Sequence, residues 1–200
     1  IYQCDWSSDV CSSDLGQLKA MLADLGLQGR RLGIETQSYG LTHFNGRAVD
    51  EALSGFCRLD EASDLVNRIR VVKSKAELRY VRKAGALGDG ALQAAVRKTR
   101  AGADEGDILA AQQGAVFAGG GDYPANEFII GSGADALLCR YKSGRRKLSR
   151  RDQLTLEWAG VYRHYHAAYM RTLIIGRPTK HHIAMEKAAR CSLHVFAQEA

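Results

Sequence analysis

Two hundred residues, 46% apolar and 25% charged, hold enough apolar material for a globular chain with one sizeable core. No apolar run approaches the ~20 residues of a membrane span, which excludes an integral membrane protein, and only two prolines with no low-complexity tract exclude a disordered or fibrous one. A net charge of +6 suits an anionic ligand without requiring nucleic acid, and five scattered cysteines with no CxxC pair favour reduced thiols and a cytoplasmic location.

Residues 1–15 are rich in Ser and Asp and follow neither a helical nor a strand period. The stretch DWSSDVCSSDL, Asp5 to Leu15, resembles the translation of a sequencing-library adapter. Residues 1–15 are therefore set aside as a non-native artefact or a disordered tail, and the reading frame is expected to derive from a longer gene. Leu18, Met21, Leu22, Leu25 and Leu27 then recur at helical spacing, RLGIE at 31–35 reads as a short strand, and 41–53 reads as a helix interrupted at Asn45-Gly46. With a brief strand or loop at 56–60, residues 16–66 have the character of the end of a small α/β domain.

A boundary is expected near 65–74. Ser74 and Glu77 form a capping box that opens a helix over 75–99, with Leu78, Val81, Gly85, Leu92, Ala95 and Val96 on one stripe. Asp104 or a neighbour caps a second helix that ends at Gly119-Gly120-Gly121. A sheet follows, with strands at 127–130, 153–159 and 162–175, and Thr179 caps a last helix carrying His181, His182 and His194, the first two read as surface or capping residues. His43 is read as a loop histidine. The expected fold class is α+β, with residues 67–200 as one domain.

The chemistry concentrates in LTLEWAGVYRHYHAAYMRT, residues 154–172. Glu157 sits in an apolar strand, an expensive place for a carboxylate without a partner. On the following strand Tyr162, His164, His166, Ala168 and Met170 share a face by period-two alternation. A tight turn at Gly160-Val161 pairs residues whose numbers sum to 321 and sets Glu157 opposite His164; a longer one, summing to 325, sets it opposite Ala168. Both sums are odd, so either register places Glu157 on the histidine face. Three readings stay open: an acid–base pair of Glu157 with His164 or His166, a three-ligand zinc site, and a structural Glu–His bridge. The basic residues Lys142, Arg145, Arg146, Lys147, Arg150 and Arg151 form a solvated loop or an electropositive rim for an acidic substrate, and they lack the interleaved aromatics of a nucleic-acid site.

RVVKSKAE at 70–77 resembles the lead-in segment R-x-x-K-S-x-x-E of the creatinase/aminopeptidase P/prolidase superfamily, which has the pita-bread fold. Tyr123-Pro124 followed by Ile130-Gly131-Ser132-Gly133 looks like its first catalytic strand and turn, and residues 157–172 align without a gap on D-x-G-A-x-x-x-x-Y-x-x-D-x-T-R-T. The resemblance implies the first half of a pita-bread catalytic domain at 67–200, preceded by the end of the superfamily's N-terminal domain at 16–66. It also implies a hydrolase of amide or peptide C–N bonds, acting on a small-molecule or dipeptide substrate and forming a homodimer when full length. Both aspartates of that pattern hold a two-metal centre in metallopeptidase members; here they are Glu157 and Ala168, and a methyl group ligates nothing. The expectation is thus catalysis without a conventional dinuclear site and without a cofactor, with a divalent metal (Mn, Zn or Co) as the alternative. The superfamily's substrate-facing histidine aligns with Arg140, so Arg140, Tyr141 and Tyr162 are expected to bind substrate and Glu157, His164 and His166 to act on it. E-x-A-G-V-Y-x-x-Y-H is especially similar to ectoine hydrolase, while the creatinase glutamate before Arg-Thr is Met170 here. Two alternatives accompany this reading: a metal-dependent Xaa-Pro peptidase, and a non-catalytic peptide- or protein-binding module. The 200-residue chain alone is expected to be inactive.

Overall fold

The computed structural model describes the backbone of residues 12–137 and 146–199 and the side chains of 14–137 and 146–193. Two compact units divide the chain, Ile1–Lys73 and Ser74–Ala200.

In the first unit, α1 spans Ser12–Asp24, β1 Arg31–Ile34, α2 His43–Leu53, β2 Arg58–Glu61 and α3 Leu65–Val71. β1 and β2 pair in parallel, Arg31 beside Arg58 and Ile34 beside Glu61. Helix α1 starts inside the segment read as foreign. Leu15 is buried and joins the half-buried Leu18 and Leu22 on one stripe, and Asp14 lies in the first turn, where the helix dipole favours an acid. Asn45-Gly46 does not interrupt α2. Thr42 Oγ1 accepts the Asn45 N–H at 3.2 Å and Asn45 itself is buried, so this pair forms the first turn of the helix. His43 is accordingly the first residue of α2, not a loop residue.

The second unit builds a three-stranded antiparallel sheet, order β3-β4-β5, from β3 Ile129–Ser132, β4 Asp152–Tyr162 and β5 Tyr165–Ile175. Helices α4, Lys75–Lys98, and α5, Glu105–Ala118, cover one of its faces. Both helix starts follow the sequence signals. Ser74 Oγ accepts the Glu77 N–H at 3.3 Å while Glu77 Oε2 accepts the Ser74 N–H at 2.7 Å, and Asp104 Oδ1 accepts the Gly106 N–H at 2.8 Å. The buried stripe of α4 differs from the expected one. Ala84, Leu87, Gly88, Ala91, Ala94 and Ala95 face inward, whereas Leu78 and Val96 are exposed. Small residues win because the sheet supplies the bulk. Trp158 and Tyr169 stack at 5.1 Å between centroids, Trp158 Nε1 donates to Gly88 O at 3.0 Å, and Tyr169 Oη donates to Gly85 O at 2.9 Å.

Ile108, Val116, Phe128, Leu148, Leu154, Leu156 and Trp158 complete this core. Arg146, read from sequence as part of a basic loop, turns inward instead. Its guanidinium donates to Ser132 Oγ and to the buried Asp152 carboxylate, the latter at 2.8 Å, and it fastens β3 to the start of β4. Helix α6, Lys180–Glu199, opens with a reciprocal cap: His182 N–H donates to Thr179 Oγ1 at 3.1 Å and Thr179 N–H to His182 Nδ1 at 3.3 Å. Among the described residues no helix is long and apolar enough to cross a membrane.

Candidate functional site

The β4–β5 hairpin decides where every candidate side chain goes. Its ladder runs from Asp152 opposite Ile175 to Tyr162 opposite Tyr165, so paired residue numbers sum to 327. The two-residue turn is Arg163-His164, both at positive φ (51° and 64°), as in a type I′ turn. Neither is the glycine or asparagine such a turn favours, and Asp122 compensates: its carboxylate accepts the Arg163 N–H.

Because the sum is odd, Glu157 does lie on the face of His166, Ala168 and Met170. Its direct partner, however, is Met170, not His164 or Ala168. On the other side it pairs with Ile129 of β3. Glu157 is half-buried between these two apolar neighbours, on the sheet face turned away from α4 and α5. Its Oε2 is shielded from water and has no hydrogen-bond partner. A carboxylate oxygen left in that state is free to accept from a ligand or a water.

His166 cannot be its acid–base partner. Opposite Val161, it is four ladder steps from Glu157, about 13 Å along the strand. Both ring nitrogens are also engaged: Nδ1 lies 2.8 Å from His164 O, and Nε2 accepts the Ala125 N–H at 3.0 Å. His164 sits in the turn with an exposed side chain and no place on the strand face. Tyr162 is also placed differently. It closes β4 on the helix side of the sheet, its ring 5.8 Å from that of Tyr80, while its ladder partner Tyr165 donates to Glu77 at 2.9 Å. Of the four expected site residues that the structure describes, then, Glu157 alone occupies the centre of this face. Arg140 and Tyr141 lie outside the described residues.

The described donors of this face do not make a two-metal centre by themselves. Glu157 is the one carboxylate on the open side of β4 and β5, and Ala168, the position where a second acid would stand, offers a methyl group. Among the described residues, no three His, Cys, Asp or Glu side chains gather as a metal-binding group. Neither the Ala125–His166 link nor the anchoring of the turn by Asp122 is legible in the sequence. Both join residues 41 positions apart, and only the register brings them together.

A sequence model of metallopeptidase family M24 matches residues 79–198. Among curated proteins, the Xaa-Pro dipeptidase of Pyrococcus furiosus is 27% identical over 151 residues, 74% of this chain and 42% of that protein. The ectoine hydrolase of Halomonas elongata is 28% identical over 183 residues, 85% of this chain and 45% of that protein. Among solved structures, the X-Pro aminopeptidase from Thermotoga maritima superposes with a TM-score of 0.73 at 23% identity, covering 84% of this chain and 46% of that one. The fold is the expected pita-bread type, and the chain spans less than half the length of the curated relatives named here.

Proposed function

The chain belongs to metallopeptidase family M24, and on that premise we propose that the protein hydrolyses a C–N bond in a small amide- or peptide-like substrate carrying a carboxylate. Glu157 acts as the proton acceptor, without a conventional two-metal centre. A water beside Oε2 gives up its proton to the carboxylate as its oxygen attacks the substrate carbonyl carbon. The same proton then passes to the departing nitrogen as the C–N bond breaks. Arg140 and Tyr141 hold the substrate carboxylate in this reading. The observation that carries it is that an unpartnered Glu157 oxygen and the Ala168 methyl lie on one sheet face.

His166, His164 and Tyr162 take no direct part, since their positions answer to the turn and to α4. The protein works in the cytoplasm as a homodimer, and the 200-residue chain, with only this part of a site, turns nothing over by itself. A second reading, a metal-dependent Xaa-Pro dipeptidase, is favoured by the likeness to the Pyrococcus furiosus enzyme. Assays of the full-length gene product on Xaa-Pro dipeptides and on ectoine- and creatine-like amides separate the two. Turnover of the small amides that survives chelation supports the first reading. Chelator-sensitive cleavage of Xaa-Pro dipeptides supports the second, and ligand binding without turnover identifies a non-catalytic module.

A further inference from the structure

The loop over residues 121–128 carries the chain from α5 to β3 and crosses the closed end of the β4–β5 hairpin. Hydrogen bonds from Asp122 and Ala125 tie it there. Asp122 N–H donates to Val161 O at 3.0 Å, Arg163 N–H donates to the Asp122 carboxylate, and Ala125 N–H donates to His166 Nε2 at 3.0 Å. Val161, the ladder partner of His166, is fully buried at this end of the sheet although its face is otherwise open.

The third bond differs from the others in kind. His164 O is a carbonyl and can only accept, so His166 Nδ1, 2.8 Å away, carries the ring proton. That fixes the neutral imidazole as the Nδ1–H tautomer and leaves a lone pair on Nε2 aimed at a backbone N–H. A second proton can only go on Nε2, where it would set donor against donor. The imidazole is exposed, so a proton reaches it without unfolding.

We propose that His166 is a proton-operated clasp: as neutral imidazole it holds the 121–128 loop on the hairpin, and as imidazolium it lets go. Release loosens the loop around Ala125, while the two Asp122 bonds keep its first residues in place and the buried Phe128 holds its end. The ionisable residues of the loop are Asp122, Tyr123 and Glu127, and those of the turn are Arg163 and His164; the β4 residue opposite His166, Val161, is apolar. The Asp122 carboxylate is already accepting the Arg163 N–H, so it is not a free partner waiting for the imidazolium. This inference does not rest on the proposed hydrolase activity.

Nuclear magnetic resonance on the 200-residue chain tests it. An N–H···N bond transmits a scalar coupling, so with the ring neutral the Ala125 amide nitrogen is expected to couple to His166 Nε2, and the ring nitrogen shifts are expected to report the Nδ1–H tautomer. On acidification the coupling is expected to vanish, and the Ala125 amide to exchange with solvent at least tenfold faster, in step with titration of the His166 Cε1 proton. His166→Gln is expected to abolish that pH response, whereas His164→Asn, which suits the positive φ, retains it. An absent coupling in the neutral form, an Ala125 amide that ignores the titration, or a response that persists in His166→Gln overturns the clasp. If His166→Gln fails to fold, the titration of the unmodified chain decides.

Discussion

Glu157 and His166 project from the same face of one hairpin, yet four ladder steps, about 13 Å, separate them. They cannot share a proton, so their substitutions are expected to behave differently. In the full-length gene product, Glu157→Gln is expected to lower kcat by roughly 10²–10⁴-fold, the usual worth of a positioned proton acceptor. His166→Gln is expected to leave the chemical step within about tenfold of wild type, because the ring bonds only backbone groups. Single-turnover rates check both.

Ala168 stands on the Glu157 face, one diagonal step away across the ladder, since its direct partner is Ala159. An Ala168→Asp substitution therefore sets a second carboxylate within reach of the first. The variant is expected to gain weak binding of Mn²⁺, on the order of millimolar, while the unmodified chain shows none at this face. Calorimetry, with line broadening of the residue 157 and 168 amides, measures the gain.

Gly160, the one glycine of the β4–β5 hairpin, has no room for a side chain. A Cβ there would lie 1.9 Å from Ala84 O and 2.4 Å from Gly88 N, both backbone atoms of α4 that cannot rotate away. Gly160→Ala is expected to destabilise the second unit by about 3 kcal/mol or more, or to prevent its folding, through forced separation of α4 from β4. Urea unfolding followed by the fluorescence of the buried Trp158 reads this directly.

That glycine also shows what the sequence could and could not reveal. Gly160-Val161 carries the ordinary signal of a turn, but Gly160 is needed for close approach to a helix far away in the chain, and the turn falls three residues later on Arg163-His164. Parity survived this shift because any odd sum keeps Glu157 on the same face, whereas the partner of Glu157 did not survive it. Caps were legible because Ser74, Glu77, Asp104 and Thr179 act within a few residues of themselves. The α4 stripe was not, because Trp158 and Tyr169 fill the space that larger helix residues would otherwise take.

Acid should weaken the second unit through Asp152. Burial pushes its carboxyl up, but the Ser149 N–H, the Arg146 guanidinium and the Gln153 N–H together outweigh that and hold it below the usual carboxylate range. A group whose folded pKa is depressed adds stability in full above its unfolded value, about 3.9, and loses it as the pH falls through the folded value. Asp152→Asn is expected to cost about 1–3 kcal/mol at pH 7 and to flatten the decline in stability below about pH 4. Urea midpoints between pH 7 and about pH 3 check the sign.

The most direct test is the metal content of the full-length gene product, purified without chelator and weighed against its hydrolase activity. Turnover is expected with well under one equivalent of manganese, zinc or cobalt per chain, and is expected to be lost in Glu157→Gln. Two equivalents of a divalent cation per active chain, removed together with activity by a chelator and restored with it, would contradict catalysis by Glu157 without a two-metal centre.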